Sequence, residues 1–332
     1  MADRAHTYDH VLSFALSHPW AIESDMLPVI AGILARHIAG VDSTAEIAAA
    51  LVNRKNLPQP RAGSIAIIPM YGVVAPRMNG MSAMSGGTTF EQLTSQLRES
   101  VANKDVKTIV FDVDSPGGNV AGATEFAHEV MQARTKKPIV AVAQYKMASA
   151  AMWAMSGATE IIASKSAVVG ALGIITAHND LSAALATLGV KRRYLFAGEG
   201  KADGNDAEPL SADAEARIQA QLNDAYGQMV GDVVKGRGAG MTAERVRKEW
   251  KAHTYGSTEA LALGMIDSIA TLDQTLARIL STSTDAGDQR ALLSLTSAGD
   301  TSQEPAKATD QDRPSDAQWQ NAATRALLEL DM

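Results

Sequence analysis

Phe111-Asp112-Val113-Asp114-Ser115-Pro116-Gly117-Gly118-Asn119-Val120 is the stretch on which the fold turns. An apolar strand runs into Asp-Ser-Pro-Gly-Gly, and a helical segment follows. That is how the carboxyl end of a parallel strand presents backbone N–H groups to a ligand. Glycine permits the unusual φ that aims an amide outward, and its missing Cβ lets a substrate approach. The same residues also suit a tight βα turn built for geometry alone, and the local motif does not separate the two readings. No Gly-Lys-Ser/Thr follows, so the turn is not a phosphate loop.

Outward from this turn, short β-branched runs alternate with helical segments from Ser64 to about Leu280. The runs are Ile65 to Ile68, Thr108 to Val113, Ile139 to Val142, Glu160 to Ala163 and Leu172 to Thr176, with a further short strand at Tyr194 to Phe196. Phe90 to Ala102 and Ala121 to Arg134 read as helices between them. Ser211 to Val234 reads as a long amphipathic helix ending at Gly236-Arg237-Gly238, and a second helix follows at about Ala243 to Lys251. Continuous apolar strands separated by helices predict βαβ units and a mostly parallel sheet, an α/β fold.

This body spans 61–281. Residues 1–60 read as a helical N-terminal extension: Met26 to Ile38 has a helical apolar rhythm, Ser43 caps an alanine-rich segment, and Pro58 and Pro60 break the chain ahead of the α/β body. Residues 282–316 are rich in Ser, Thr, Asp and Gln and predict a disordered polar linker. A short helix at 317–332, with Trp319, Leu327, Leu328 and Leu330, suits a docking element or scaffold remnant.

Composition narrows the chemistry. Of 332 residues 46% are hydrophobic, ample for a core, and none is cysteine, which removes disulfides, thiolate metal sites and cysteine nucleophiles. A net charge of −7 offers no basic footprint for nucleic acid. No run approaches the roughly 20 apolar residues that span a bilayer, and the first residues lack the basic start of a secretory signal. A soluble cytosolic protein is the expectation.

The second chemical candidate is Ala141 to Gly157, AVAQYKMASAAMWAMSG. A strand ending near Tyr145 and a small-residue helix beginning around Ala148 place Ser149 in a first helical turn, one βα unit after the Gly-Gly turn. There the hydroxyl gains from the helix dipole and the Ala150 N–H can help stabilise an oxyanion. The alternative is that Ser149 only caps the helix. A serine nucleophile needs a base. Of seven histidines only His178 follows Ser149 at a strand end, and its neighbour Asp180 is too close in sequence to orient it. The other kind of base is a lysine, and Lys201 lies in the Gly-flanked loop YLFAGEGKADGNDAEPLS, near Glu199, Asp203 and Asp206, which favour its charged form. The residues leave both bases open.

Four motifs in order resemble the SppA-type (signal peptide peptidase A-like) serine peptidases, a branch of the Clp–crotonase fold. They are Asp114-Ser115-Pro116-Gly117-Gly118, Met147-Ala148-Ser149-Ala150, Val169-Gly170-Ala171-Leu172-Gly173-Ile174 and Ala197-Gly198-Glu199-Gly200-Lys201. Lys235-Gly236-Arg237-Gly238 and Leu263-Gly264-Met265-Ile266-Asp267 resemble the family's closing segment. Within the family, the bacteriophage capsid-assembly (head maturation) proteases are most similar. The resemblance implies a Ser–Lys dyad, with Ser149 as nucleophile and Lys201 as general base, and an oxyanion hole from the Gly118 and Ala150 N–H groups. Cellular relatives carry Gly-Gly after the nucleophile, where this chain has Ala150-Ala151, and they carry a membrane anchor.

The resemblance further implies scaffold, capsid and portal-type proteins as substrates or partners, and a homo-oligomeric ring whose dyad is assembled across a subunit boundary. Extended substrates would have small residues near the cut, and the protein would act in the host cytoplasm or procapsid interior. It implies no cofactor or metal, and the charge and the lack of an apolar span speak against nucleic acid and membrane as partners. Three other readings compete: a Ser–His protease of Clp type using His178, a crotonase-like acyl-CoA enzyme with Gly118 polarising a thioester, and a non-enzymatic assembly scaffold.

Overall fold

The computed structural model describes residues 19–24, 26, 61–77 and 87–299. Its strands are β1 (Trp20–Ile22), β2 (Arg61–Ala62), β3 (Ile65–Tyr71), β4 (Val74–Ala75), β5 (Thr88–Thr89), β6 (Thr108–Ser115), β7 (Gly117–Asn119), β8 (Ile139–Ala148), β9 (Glu160–Ala163), β10 (Val168–Gly170), β11 (Thr254–Gly256) and β12 (Ser268–Ile269). Its helices are α1 (Phe90–Ala102), α2 (Ala123–Ala133), α3 (Ala150–Met155), α4 (Ser182–Thr187), α5 (Ala212–Arg237), α6 (Ser257–Ala262), α7 (Leu272–Ser281) and α8 (Ala286–Gly299), with a π-helical stretch at Arg245–Trp250.

The fold is mixed α/β with a mostly parallel central sheet. β6 lies in its middle, parallel to β3 on one side and β8 on the other. Alternation along β6 sends Ile109, Phe111 and Val113 into one buried cluster with Phe90, Leu93 and Leu97 of α1 and Phe126, Ala127 and Val130 of α2. Phe111 meets Phe126 edge-on with centroids 6.0 Å apart, a favoured aromatic geometry. Thr89 starts α1 by accepting the Gln92 N–H.

β8 changes partners along its length. Val140 to Ala143 pair with β9, whereas Lys146 to Ala148 pair with β10, and its register against β6 shifts between Val113 and Ser115. At that end the chain leaves β6 through Pro116 and enters β7, which belongs to a second sheet of order β1-β7-β4-β5. The Gly-Gly turn is therefore the point where one sheet hands over to another.

Four stretches differ from expectation. Leu172 to Thr176 is not a strand: positive φ at Gly170 (117°) and Ala171 (51°) turns the chain out of β geometry, and only Ile175 forms a bridge, to Trp20. Tyr194 to Phe196 is an exposed irregular segment, for it has no strand beside it to satisfy its backbone. Residues 20–22, expected within a helical extension, form β1, because Pro19 cannot continue a helix and Gly117 to Asn119 offer an edge to pair with. The expected polar linker contains α8, whose Asp288 is 1% exposed and accepts from the Ser64 N–H at 2.5 Å and the Ser64 hydroxyl at 2.8 Å. The compact unit thus reaches Leu292, past the expected boundary at 281, and residues 293–332 form a second unit. Met26 is helical; the remainder of the expected extension and the helix at 317–332 lie outside the described residues. Among the described residues, no helix is long and apolar enough to cross a membrane.

Candidate active site

The site grows from the two glycines of the turn. Gly117 has φ 102°, and a Cβ there would meet the Ala21 carbonyl oxygen at 2.3 Å. A Cβ on Gly118 would lie 1.8 Å from the Val74 carbonyl oxygen, so β4 and β7 approach as closely as they do only because this residue has no side chain. Ser115 braces the turn, its hydroxyl donating to the Gly72 carbonyl at 2.6 Å and accepting the Gly117 N–H at 3.2 Å.

Ser149 stands between β8 and α3. β8 runs on to Ala148, beyond the end expected near Tyr145, so the serine occupies the single junction residue before α3 opens at Ala150. Its φ is 51° and ψ −116°, a conformation that costs a residue with a Cβ about 1–3 kcal/mol and persists only where the surroundings hold it. They do so through the backbone: the Ser149 N–H donates to Gly170 O at 2.7 Å, and its carbonyl accepts the Trp153 N–H at 2.8 Å. The side chain makes no capping bond, so helix capping does not explain this serine. Its hydroxyl has only a long contact of 3.5 Å to Gly173 O, and the residue is 0% exposed. Ala150 is the first helical residue, and its N–H has no acceptor within the helix.

The two candidate bases lie elsewhere. Lys201 is exposed in a turn built on Gly198, Gly200 and Gly204, all with positive φ. Asp203 pairs with Arg217, and Asp206 pairs with Arg192 at 2.8 Å, so arginines hold two of the three acids near Lys201 in sequence. No hydrogen bond joins Lys201 to the buried Ser149. The segment ahead of Lys201 displays Leu188 (76% exposed), Leu195 (86%) and Phe196 (59%). His178 is half-buried, its Nε2 enclosed without a hydrogen-bond partner and not bonded to Ser149.

Sequence reasoning missed the support behind Ser149. Asp232 of α5 is 8% exposed and accepts from the Trp153 indole N–H at 2.9 Å and the Thr124 hydroxyl at 2.9 Å, with His128 Nε2 at 2.7 Å. The available signal was one acid on the apolar stripe of Met229, Val230 and Val233. Arg134 works similarly, donating to the Gly236 carbonyl at 2.6 Å and the Gly157 carbonyl at 3.1 Å, which ties α5 to the turn after α3. Asp112, on the other face of β6, accepts from the Tyr71 hydroxyl; burial pushes its carboxyl up, and that hydrogen bond only partly offsets it.

Comparison with known proteins converges on one family. Residues 131–284 match the family model of peptidase family S49. The mostly parallel α/β sheet is consistent with a Clp–crotonase-like fold. The chain is 30% identical over 161 residues to the head-tail preconnector protein GP5 of Enterobacteria phage P21, covering 48% of this chain and 32% of that protein. It is 30% identical over 205 residues to capsid assembly protease C of Escherichia phage lambda, covering 62% and 46%. It is 28% identical over 222 residues to protease 4 of Salmonella typhi, covering 67% and 35%. In each case the match spans less than half of the relative's length.

Proposed function

With a peptidase family S49 domain as the premise, we propose that this chain is a serine endopeptidase with a Ser–Lys dyad, cleaving scaffold and capsid proteins during phage procapsid maturation. The observation that carries the reading is Ser149 itself: a strained, backbone-anchored serine at a strand-to-helix junction beside a Gly-Gly turn. The Ser149 hydroxyl attacks a peptide carbonyl while Lys201, the general base, takes its proton. The carbonyl oxygen, now an oxyanion, receives the Gly118 and Ala150 N–H groups; loss of one such donor costs about 2.7–4 kcal/mol. Protonated Lys201 then gives its proton to the leaving amine, and water releases the acyl group from Ser149.

In this reading Lys201 acts on the serine of a neighbouring copy in a ring. Its own Ser149 is buried and not bonded to it, while the exposed Leu188, Leu195 and Phe196 suit burial against another subunit. The test uses casein cleavage by Ser149→Ala and Lys201→Ala, each expected to be inactive; activity in either overturns the dyad. Mixing the two inactive variants during refolding should restore cleavage, since some sites then combine an intact serine with an intact lysine. A second reading keeps Ser149 and takes His178 as base, favoured by its enclosed, unpartnered Nε2. An inactive His178→Ala beside an active Lys201→Ala would select it.

A further inference from the structure

One edge of the Gly-Gly turn is covered by a segment of the chain itself. β1 runs antiparallel to β7, with Trp20 opposite Asn119, Ala21 opposite Gly118 and Ile22 opposite Gly117. Two bonds flank this register: the Val120 N–H reaches Pro19 O at 3.4 Å, and the Glu23 N–H reaches Pro116 O at 3.2 Å. Facing pairs in an antiparallel ladder alternate between those that exchange N–H···O=C bonds and those that do not. Pro19 with Val120 and Glu23 with Pro116 are bonded positions, so Ala21 with Gly118, midway between them, is bonded too. The Gly118 N–H, the candidate oxyanion donor, is thereby directed at the Ala21 carbonyl.

That carbonyl also borders the nucleophile. The point where a Cβ on Gly117 would sit is 2.3 Å from Ala21 O and 2.9 Å from Ser149 Cβ. The opposite edge of β1 is filled as well, since Trp20 and Ile175 exchange two N–H···O bonds, both of 2.8 Å. Trp20 is 2% exposed and Ser149 is 0% exposed beneath this arrangement. At the end of the segment Glu23 meets Lys146 Nζ at 2.5 Å.

We propose that Pro19–Glu23 is a built-in pseudosubstrate, an extended segment that fills the groove between β7 and Ile175 and keeps peptides from Ser149 until it is displaced. The inference rests on the peptidase reading above, in which Gly118 supplies an oxyanion donor. An extended peptide bonded along both edges, with its carbonyl at that donor and beside the serine, lies as a substrate must lie. A segment of three paired residues is short enough to leave, and the Glu23–Lys146 ion pair is the latch that holds it. The segment also specifies what the groove accepts: an extended chain, a residue of alanine size opposite Gly118, and an acid two positions further on to meet Lys146.

The test uses the full-length chain. Ala21→Pro removes the N–H from the central bonded pair, while Glu23→Gln removes only the latch charge and keeps the test alive if the proline variant does not fold. Two readouts are taken: the rate at which a fluorophosphonate labels Ser149, and the binding of a fluorescein-labelled SHPWAIESDM peptide (residues 17–26) to the same chains carrying Ser149→Ala. An opened groove should bind the peptide about tenfold more tightly in Ala21→Pro, because the competent fraction rises. Glu23→Gln should give about threefold, the scale of one partly exposed ion pair. Labelling should accelerate in the same order. Equal peptide binding and equal labelling in parent and variants overturns the proposal. Peptide binding that rises in the variants while no chain is labelled or cleaves casein upholds the groove and overturns the peptidase reading. Casein cleavage and labelling that are present and alike in all chains overturn the pseudosubstrate alone.

Discussion

Replacing Asp232 by alanine tests whether Ser149 is held from behind. Trp153 lies one turn beyond Ser149, donates its backbone N–H to the Ser149 carbonyl, is fully buried, and gives its indole N–H to Asp232 at 2.9 Å. Alanine leaves that buried indole without an acceptor, at about 1–3 kcal/mol. It also removes the bonds to the Thr124 hydroxyl and His128, each contributing about 0.5–1.5 kcal/mol. The expected loss is about 2–6 kcal/mol, or about 4–24 °C in Tm for a domain of this size. Urea unfolding followed by circular dichroism measures it, with an unchanged denaturant slope confirming that stability is what changed. Trp153→Phe supplies the control, because phenylalanine has no N–H to satisfy. In that background Asp232→Ala should cost less by about 1–3 kcal/mol, the coupling expected of residues in direct contact. An Asp232→Ala chain within about 1 kcal/mol of the parent, or a strictly additive cycle, refutes the argument.

Gly236→Ala sets helix propensity against packing. Alanine favours a helix interior by about 1 kcal/mol, but its Cβ would lie 2.6 Å from the Ser156 carbonyl oxygen and 2.8 Å from its carbon, atoms of rigid backbone. Packing should win by about 1–3 kcal/mol, and a rise in Tm would refute this. Gly118→Ala drives a Cβ into the Val74 carbonyl and shifts β7; casein cleavage should fall at least about 100-fold, and retained activity would show that β7 tolerates the shift. Asp267 carries a pH signature. Burial pushes its carboxyl up, but the Arg237 guanidinium and the Ile161 N–H, at 2.6 and 2.7 Å, bring it below the usual range. A carboxyl lowered on folding contributes stability above its unfolded pKa, and that contribution is lost as pH falls through the folded value. Asp267→Asn should therefore be less stable than the parent at pH 7, with the gap closing as pH drops below about 4. A gap that stays constant from neutral to acid pH would show that the charge is not what stabilises this corner.

The parts of the fold that could be read from sequence share a physical property: their evidence is local. Ile65 to Ile68, Thr108 to Val113, Ile139 to Val142 and Glu160 to Ala163 are apolar runs whose burial needs no knowledge of a partner, and each lies within a strand. Phe90 to Ala102 has both its apolar stripe and its Thr89 cap within a few residues, and its helix has those bounds. The Gly117-Gly118 turn was equally visible, because positive φ and a missing Cβ leave a glycine in the sequence. Leu172 to Thr176 shows the limit. Its composition is that of a strand, but Gly170 and Ala171 have already turned the chain aside, and alanine at φ 51° carries no sequence signal.

What was not visible depends on partners far along the chain, and these are the features that govern the site. Asp232 reads as one acid on a long helix until Trp153, 79 residues earlier, is placed against it. Trp20 to Ile22 has no pattern that separates a strand from the start of a helix, and only the free edge of β7 makes it β1. Ser149 itself reads, from its local sequence, first as a helix cap, and as a nucleophile only beside the Gly-Gly turn. The structure adds what the local sequence does not carry: a positive φ, no capping bond from the side chain, and backbone bonds to Gly170 and Trp153. Local sequence thus marks where this chain bends, and long-range pairing sets what each bend exposes. The same logic applies to Lys201 and Ser149, which can both be read from the chain but are joined by no hydrogen bond in this structure: Lys201 lies in an exposed loop, and the segment ahead of it shows Leu188, Leu195 and Phe196 to solvent.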